Sequence, residues 1–309
     1  MTWEELYAEW ASDCPTLRCH TSGSTGTPKT IDLPKEQVAA SARRTLDFFH
    51  LDQSARFHSC LAPDYIGGKM MMVRALLAGG CFTWEKPSNH PLRDAANERI
   101  DLLCVVPAQM RDILDRRKEL PEIGAILIGG SPINSALKAE IAASGLHCWE
   151  TYGMTETASH VALRPVSEPE AWFTPLDGIA VSLSDSRLAI DIPGWQRLVT
   201  NDIAEITSDN RFRIVGRADN VIITGGLKVH PEEVESRLQP YLDFDFILTS
   251  RPDALWGQRV VMIAENAGMP DEQILDICRS HAARHEVPKQ IIRSAIPRTE
   301  SGKPVRKQS

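Results

Sequence analysis

The stretch HTSGSTGTPKTI, residues 20–31, directs the interpretation of the whole 309-residue sequence. Its two glycines, Gly23 and Gly26, can adopt backbone angles closed to other residues, and their missing side chains let backbone N–H groups approach an anion. Lys29 adds a positive charge, and hydroxyl donors come from Thr21, Ser22, Ser24 and Thr25. The stretch therefore predicts a loop that holds a polyphosphate.

A helix is predicted after this loop, because PKEQVAASARRTLDFF begins with Pro34 and repeats apolar residues on one face. The loop is not of the kinase and GTPase type. That type ends in G-K-[ST] and usually follows a strand, whereas Lys29 lies between Pro28 and Thr30. A flexible Gly/Ser turn without a ligand is the other interpretation that composition alone leaves open.

Composition and charge limit the classes of function. The net charge of −7 and the pI near 5.8 argue against a general nucleic-acid binder but allow a locally basic site for a small anion. No run approaches the roughly 18 apolar residues of a membrane span, and the acidic N-terminus lacks the pattern of a signal peptide. Seven scattered cysteines predict buried, reduced thiols and a cytoplasmic protein.

Short apolar runs alternate with helical patterns, which predicts an α/β architecture. Buried strands are predicted at 102–106 and 125–129, where the sequence is LLCVV and AILIG. The run NSALKAEIAASG then predicts a helix that stops at Gly145, a residue suited to the left-handed conformation that ends many helices.

The pattern changes after residue 176. Short, turn-rich runs up to residue 214 predict a small antiparallel section. The polar turn RADN, residues 217–220, then precedes a new strand and a helix that begins at Pro231. We therefore expect two domains, residues 1–216 and residues 217–309.

Five stretches of the chain resemble, in order, motifs of the acyl-adenylate-forming enzymes, which include acyl- and aryl-CoA ligases, adenylation domains of peptide synthetases, and luciferases. The stretches are TSGSTGTPK (21–29), GGS (129–131), TYGMTETASH (151–160), GRADNVIITGGLKVHPEEVE (216–235) and PRTESGKPVRK (297–307). Five such matches in the family's order argue against chance. The resemblance implies a large N-terminal α/β domain, shortened at its N-terminus, and a small mobile C-terminal α+β domain.

The resemblance also implies a reaction: a carboxylate attacks ATP, pyrophosphate leaves, and the acyl group passes to CoA. Glu156 would bind Mg²⁺, since a hard cation prefers carboxylate and phosphate oxygens. Thr155 would form a hydrogen bond to the α-phosphate. The β- and γ-phosphates would be held by Thr21, Ser22, Gly23, Ser24, Thr25, Gly26 and Lys29. Adenine would lie beside Gly129, Gly130, Ser131 and Tyr152.

The remaining roles come from the C-terminal half of the matched motifs. Asp202 and Arg217 would contact the ribose, and Lys303 would bridge the substrate carboxylate and the α-phosphate. Rotation of the small domain about a hinge at Asp219 would then exchange Lys303 for a glycine loop. The channel for the pantetheine arm of CoA would be lined by Gly225 and Gly226.

Two differences from most members of this family indicate a smaller group within it. Few residues precede the phosphate loop, and YIGGKMM, residues 65–71, stands where many members have an aromatic–His motif. With YGMTETASHVALR, these features resemble the short bacterial o-succinylbenzoate–CoA ligases of menaquinone synthesis. That acid carries two carboxylates, and Lys69 is the hypothesis for the partner of the second one. Ser159 and His160 are expected near its aromatic end. Two alternatives stay open: Lys69 is a surface lysine without this role, and His160 is an ordinary core or surface histidine.

Other functions also stay open at this level. They are a ligase for another aryl or short-chain acid, an adenylation enzyme that loads a carrier protein, and a non-catalytic nucleotide-binding relative. Retention of Lys29, Glu156 and Lys303 favours an enzyme over the last of these. The expected partners are the acid, ATP and CoA, with no nucleic acid, no membrane span, and a homo-oligomer left open.

Overall fold

A computed structural model describes residues 1–20, 29–93, 98–168, 171–298 and 304–306. Within these ranges no helix is long and apolar enough to cross a membrane. The α-helices of this part of the chain are α1 (Trp3–Ala11), α2 (Lys35–Phe49), α3 (Ile66–Ala78), α4 (Pro107–Arg116), α5 (Ser135–Ser144), α6 (Pro231–Leu238) and α7 (Asp271–His281).

Two antiparallel strands flank the predicted phosphate loop. They are β1 (Thr16–His20) and β2 (Thr30–Pro34), and His20 pairs with Thr30 at the base of the loop. The helix predicted from Pro34 is confirmed as α2, which begins one residue later, whereas strand β2 between the loop and this helix was not predicted. In T-I-D-L-P the apolar residues alternate with polar ones, which suits a strand with one buried face, and Leu33 is buried.

The largest sheet has seven strands in the order β4-β3-β5-β6-β7-β8-β9. Its strands are β3 (Arg56–Ser59), β4 (Cys81–Trp84), β5 (Ile100–Val105), β6 (Ile123–Ile128), β7 (Cys148–Met154), β8 (Ser159–Pro165) and β9 (Thr174–Pro175). The first five in spatial order are parallel, and β8 and β9 continue the sheet antiparallel. The strands predicted at 102–106 and 125–129 are confirmed as β5 and β6.

Helices cover this sheet with apolar side chains. A core that includes Leu103, Ile126, Met110 and Ile141 joins β5 and β6 to α4 and α5. Helix α3 is apolar nearly all round, and its residues 68–75 are all buried, which is the pattern of a helix enclosed by other elements. The run of apolar residues in α3 is broken only by two cations, which are also buried.

A four-stranded antiparallel sheet follows, formed by β10 (Ala180–Ser184), β11 (Arg187–Asp191), β12 (Leu198–Ile206) and β13 (Phe212–Arg217). It confirms the predicted small antiparallel section. Leu188, Ile190 and Phe212 are buried, so one side of the sheet carries its own apolar packing.

The last sheet has five strands, β14 (Ile222–Thr224), β15 (Leu227–Val229), β16 (Phe246–Asp253), β17 (Gly257–Ala264) and β18 (Gln290–Arg293). The order is β15-β14-β17-β16, and β18 pairs parallel with β17. A core that includes Val234, Leu248, Met262 and Ile274 packs α6 and α7 on this sheet.

By compactness the chain divides into two units. The first comprises Met1–Ile133, Leu137–Ala180 and Asp191–Gln196, and the second comprises Asn134–Ala136, Val181–Ile190 and Arg197–Ser309. The sheet β10–β13 thus belongs mainly to the second unit. The boundary expected between residues 216 and 217 separates a large domain from a small domain that rotates. Compactness does not test a rotation, so this boundary stays a prediction.

Candidate nucleotide and acid site

Two of the predicted motifs meet at one edge of the seven-stranded sheet. Residues 129–131 directly follow β6, and Tyr152 and Thr155 lie at the end of β7. Because β6 and β7 are parallel neighbours, both motifs stand at their carboxyl ends. In open α/β sheets, ligands bind in the crevice outside the carboxyl ends of the strands. The structure therefore brings together the residues expected beside adenine and the α-phosphate.

The glycines after β6 are required by the backbone. A Cβ at position 129 would lie 2.7 Å from Thr151 Oγ1, and Gly130 has a φ of +89°. Thr151 Oγ1 in turn donates a hydrogen bond to the carbonyl of Ile128 over 3.2 Å. The turn thus passes close to β7 in a conformation that excludes larger residues.

Thr155 and Glu156 lie in a short 3-10 helix, Thr155–Thr157, at the end of β7. Thr155 is buried, whereas Glu156 is exposed and its carboxylate could hold Mg²⁺. Within the described ranges no group of three or more His, Cys, Asp or Glu side chains could hold a metal. A magnesium ion at Glu156 would therefore need nucleotide oxygens and water as further ligands.

The turn after this helix has a strained backbone. Ala158 and Ser159 have φ values of +52° and +110°, which are unusual for residues with a side chain. Thr157 Oγ1 accepts from the backbone N–H of Met154 at 3.0 Å and donates to the carbonyl of Ser159 at 2.6 Å. These bonds hold Ser159 in place.

A fully buried cation that was not predicted from the sequence lies beside this turn. Arg74 of α3 is 1% exposed, and its Nη2 donates to Ser159 Oγ over 3.2 Å and lies 3.5 Å from His160 Nδ1. Its Nε is buried and has no hydrogen-bond partner among the described residues. The signal that could have revealed it is a cation in an otherwise apolar helix.

No carboxylate of the described chain pairs with Arg74. Its other polar neighbour is the side chain of Cys104, whose pKa is raised to about 11 by burial, so that sulfur is a neutral thiol. Burial lowers the pKa of Arg74, but a guanidinium stays charged at neutral pH. A buried charge without a counter-ion is costly, which makes Arg74 a candidate anion-binding group.

Lys69, the sequence-based candidate for the second carboxylate, lies in α3 and is 1% exposed, so it is not a surface lysine. Its Nζ is 2.9 Å from the sulfur of Met1. Burial lowers the pKa of its ammonium group. The contacts to Ser159 and His160 come instead from Arg74, five residues further along the same helix.

His160 is a buried histidine at 6% exposure. Its Nε2 lies 3.1 Å from Thr45 Oγ1 of α2. Burial, and then the charge of Arg74, hold the pKa of His160 well below its ordinary value. The structure thus brings Ser159 and His160 together with Arg74, on elements α2, α3 and β8.

The predicted ribose residues form a pair in the second unit. Asp202 of β12 and Arg217 of β13 are register partners, and Arg217 Nη1 donates to Asp202 Oδ1 over 3.2 Å. Arg217 Nε also donates to Asp219 Oδ1 over 3.1 Å. The expected ribose and hinge residues are therefore linked to one another, and their roles stay proposals.

Gly225 and Gly226 form the turn between β14 and β15, with φ values of +57° and +81°. A Cβ at Gly225 would lie 2.6 Å from the ring of Trp256. Around this turn, in the second unit, the exposed side chains include the charged Lys228 and four large apolar ones, Ile223, Leu227, Leu255 and Trp256. The expected role of this turn as a CoA channel stays a proposal.

Several predicted site residues lie outside the described residues, namely Thr21, Ser22, Gly23, Ser24, Thr25, Gly26 and Lys303. Lys29 is described and exposed. Five of the seven cysteines are buried as expected, but Cys14 and Cys81 are exposed, so the prediction of uniformly buried thiols is wrong for those two.

Comparison with known proteins extends these observations. The chain is 34% identical to an acyl-CoA synthetase (AMP-forming)/AMP-acid ligase II-like protein from Dyadobacter fermentans, over 97% of this chain and 90% of that one, with a TM-score of 0.65. It shares the fold of the o-succinylbenzoate CoA synthetase of Bacillus subtilis, solved with its acyl-adenylate intermediate, at 20% identity and a TM-score of 0.84, over 94% and 67% of the two chains.

Among curated proteins, an indoleacetate–CoA ligase from Aromatoleum aromaticum is 26% identical over 94% of this chain and 65% of its own length. The chain thus spans about two thirds of the length of that relative. The model of the family described as AMP-binding enzyme matches residues 4–191. Since this match covers more than half of the sequence, the chain belongs to the AMP-binding enzyme family.

Proposed function

We propose that this protein is an ATP-dependent acid–CoA ligase that works through an acyl-adenylate, and that its acid is o-succinylbenzoate. Membership of the AMP-binding family supports the adenylating chemistry. Names of similar proteins support the use of CoA and of an aryl acid. In this account the protein makes o-succinylbenzoyl-CoA, a step of menaquinone synthesis.

The observation that carries the choice of acid is the buried Arg74, which pairs with no carboxylate in the part of the chain that the structure describes. A substrate with one carboxylate to activate and a second one to anchor would provide the missing counter-ion. Arg74 contacts Ser159, four residues after Thr155, so the anchoring cation is tied to the turn expected at the α-phosphate. A monocarboxylate would leave the charge of Arg74 without an anion.

In the first step, a carboxylate oxygen of the acid bonds to the α-phosphorus and the bond to the β-phosphate oxygen breaks. The thiol of CoA then adds to the acyl carbon, AMP leaves, and the thiol proton is released. Lys303 and Thr155 would stabilise the charge that develops on the α-phosphate in the first step. A magnesium ion at Glu156 would neutralise phosphate charge when bound.

We assign the phosphates to the loop of residues 21–29. We assign adenine to residues 129–131 and Tyr152, and the ribose to Asp202 and Arg217. Rotation at Asp219 would bring Gly225 and Gly226 to the acyl-adenylate for the second step. A CoA ligase for another aryl acid is the second candidate, favoured by the similarity to an indoleacetate–CoA ligase.

The experiment is to incubate the purified protein with ATP, Mg²⁺, CoA and one acid at a time, and to identify thioesters by mass spectrometry. The acids are o-succinylbenzoate, benzoate, indoleacetate and a short-chain acid. A dominant o-succinylbenzoyl-CoA product supports the proposal. A thioester formed only from another acid contradicts the choice of substrate. AMP without any thioester indicates transfer to a carrier protein, and ADP contradicts the ligase chemistry.

A further inference from the structure

Behind Arg74 lies a buried chain of polar groups, which we call the Arg74 network. It consists of Arg74, Ser159, His160, Thr45 and Ser41, from helices α2 and α3 and strand β8. His160 is 6% exposed, Ser41 4%, Arg74 1% and Thr45 0%. Polar groups buried to this degree must satisfy one another, because water does not reach them.

The direction of each hydrogen bond in the network follows from its chemistry. A guanidinium can only donate, so His160 Nδ1, 3.5 Å from Arg74 Nη2, must accept and carries no proton. The ring proton then lies on Nε2 and points to Thr45 Oγ1 at 3.1 Å. Thr45 donates to the carbonyl of Ser41 at 3.4 Å, and Ser41 Oγ donates to the carbonyl of Ala158 at 3.1 Å.

A protonated His160 would not fit this arrangement. It would aim a second N–H at a guanidinium that offers no acceptor, and it would bury a second positive charge. Among the described residues, the titratable groups that face the cluster from the packed elements are Arg74 of α3 and, beside it, the neutral thiol of Cys104 of β5. Neither supplies the negative charge that an imidazolium would need.

We propose that His160 is a positioning residue: as a neutral imidazole with its proton on Nε2, it fixes the Arg74 guanidinium so that its Nε donor faces the second carboxylate of the bound acid. This inference rests on the proposed function and deepens it. Ser159 and His160 both contact Nη2, whereas Nε has no partner among the described residues. The strained Ala158–Ser159 backbone is held by Ser41 at the far end of the same network.

The test compares His160→Leu, which removes both ring nitrogens, with His160→Asn, whose amide oxygen can still accept near the Nδ1 position. The matched control is His58→Leu. His58 is 3% exposed and its Nδ1 lies 2.9 Å from Thr83 Oγ1, but it is outside the Arg74 network. The steady-state KM is measured for o-succinylbenzoate, for ATP and for a monocarboxylate acid.

We expect His160→Leu to raise KM for o-succinylbenzoate about 10-fold and to leave KM for ATP and for the monocarboxylate within about 2-fold. His160→Asn should recover most of the loss, and His58→Leu should not change the acid KM. Equal increases for both acids, or no increase with an active wild type, would overturn the inference and leave the proposed function standing. A wild type that makes no thioester from any acid with two carboxylates contradicts the proposed function as well.

A second measurement does not depend on the variants folding. The imidazole ¹⁵N shifts of the histidine-labelled full chain report which nitrogen of His160 carries a proton. Protonation on Nε2 alone at pH 7 is the expected result. A proton on Nδ1, or on both nitrogens, would overturn the inference even if every variant lost activity.

Discussion

Gly153 and His160 lie so close that a Cβ on the glycine would fall 2.4 Å from the Cα of the histidine. The same Cβ would lie 2.2 Å from the carbonyl oxygen of Ser159. Both neighbours are backbone atoms of β8, so they cannot move aside as the end of a side chain could. The glycine of the YGMTE motif is therefore a condition for the turn that presents Ser159 and His160 to Arg74.

This contact predicts that Gly153→Ala lowers the free energy of unfolding by about 2–4 kcal/mol, because β7 and β8 must separate to admit the methyl group. Urea unfolding of the full chain measures it. The control is Gly268→Ala, where the added Cβ meets nothing within 4 Å, and a change within about 0.5 kcal/mol is expected. Equal effects at the two positions would contradict the account of the turn.

The two buried cations of α3 form a matched pair for a binding test. Arg74→Gln should raise KM for o-succinylbenzoate about 10- to 100-fold, the loss expected for charge-assisted hydrogen bonds worth roughly 1.5–3 kcal/mol, with KM for ATP unchanged. Lys69→Gln removes a cation of equal burial but should act less on the acid, since Lys69 Nζ contacts Met1. A larger increase of the acid KM in Lys69→Gln than in Arg74→Gln would indicate that Lys69, and not Arg74, binds the second carboxylate.

The buried histidines predict how stability depends on pH. The pKa of His160 is lowered by burial and Arg74, and that of His58 is lowered by burial although Glu85 opposes the shift. Between about pH 6.5 and 5.5 the unfolded chain binds protons that the folded chain does not. As the pH decreases through this range, the free energy of unfolding should therefore decrease by up to about 1.4 kcal/mol per pH unit for each histidine.

Urea unfolding at several pH values measures this slope. His160→Asn should remove one contribution and His58→Asn the other, so the double variant should show the flattest profile. An unchanged slope in His160→Asn would mean that His160 is protonated in the folded protein, which contradicts the neutral imidazole inferred from its contacts.

A substitution in the turn at Gly225 should impair thioester formation while adenylation of the acid continues. Gly225→Ala would place a methyl group against the ring of Trp256, whereas Gly226→Ala meets nothing within 4 Å and adds only backbone strain. If the turn serves the CoA step, Gly225→Ala should lower the rate of thioester formation at least 10-fold while acid-dependent pyrophosphate–ATP exchange persists. Gly226→Ala should show a smaller loss. Equal loss of both half-reactions in Gly225→Ala would contradict this role.

Periodicity in the sequence was sufficient for most of the elements near the site. The apolar runs that became β5 and β6, and the turn-rich section that became β10–β13, were predictable because their patterns are local. Strand β2 was not predicted, because Thr30 and Ile31 belong to the glycine-containing stretch and Pro34 has the pattern of a helix start. The strand ends at Pro34, and α2 begins one residue later.

The Arg74 network was not predictable in the same way. Arg74, Thr45 and His160 are far apart in the chain, and only the packing of α2 and α3 on β8 brings them together. The sequence pointed to Lys69 because it lies within the distinctive YIGGKMM segment. Arg74, five residues further along the same apolar helix, has the contacts that suit an anion site. Spacing in the sequence does not show that a charged residue is buried.

The central claim is that the acid is activated as an acyl-adenylate, and isotope transfer tests it most directly. The protein is incubated with ATP, Mg²⁺, CoA and o-succinylbenzoate that carries ¹⁸O in its carboxylates, and the products are analysed by mass spectrometry. The account predicts one ¹⁸O atom in AMP, none in pyrophosphate, and one ¹⁸O in the thioester carbonyl. Label in inorganic phosphate with ADP as the second product, or AMP without label, would contradict it.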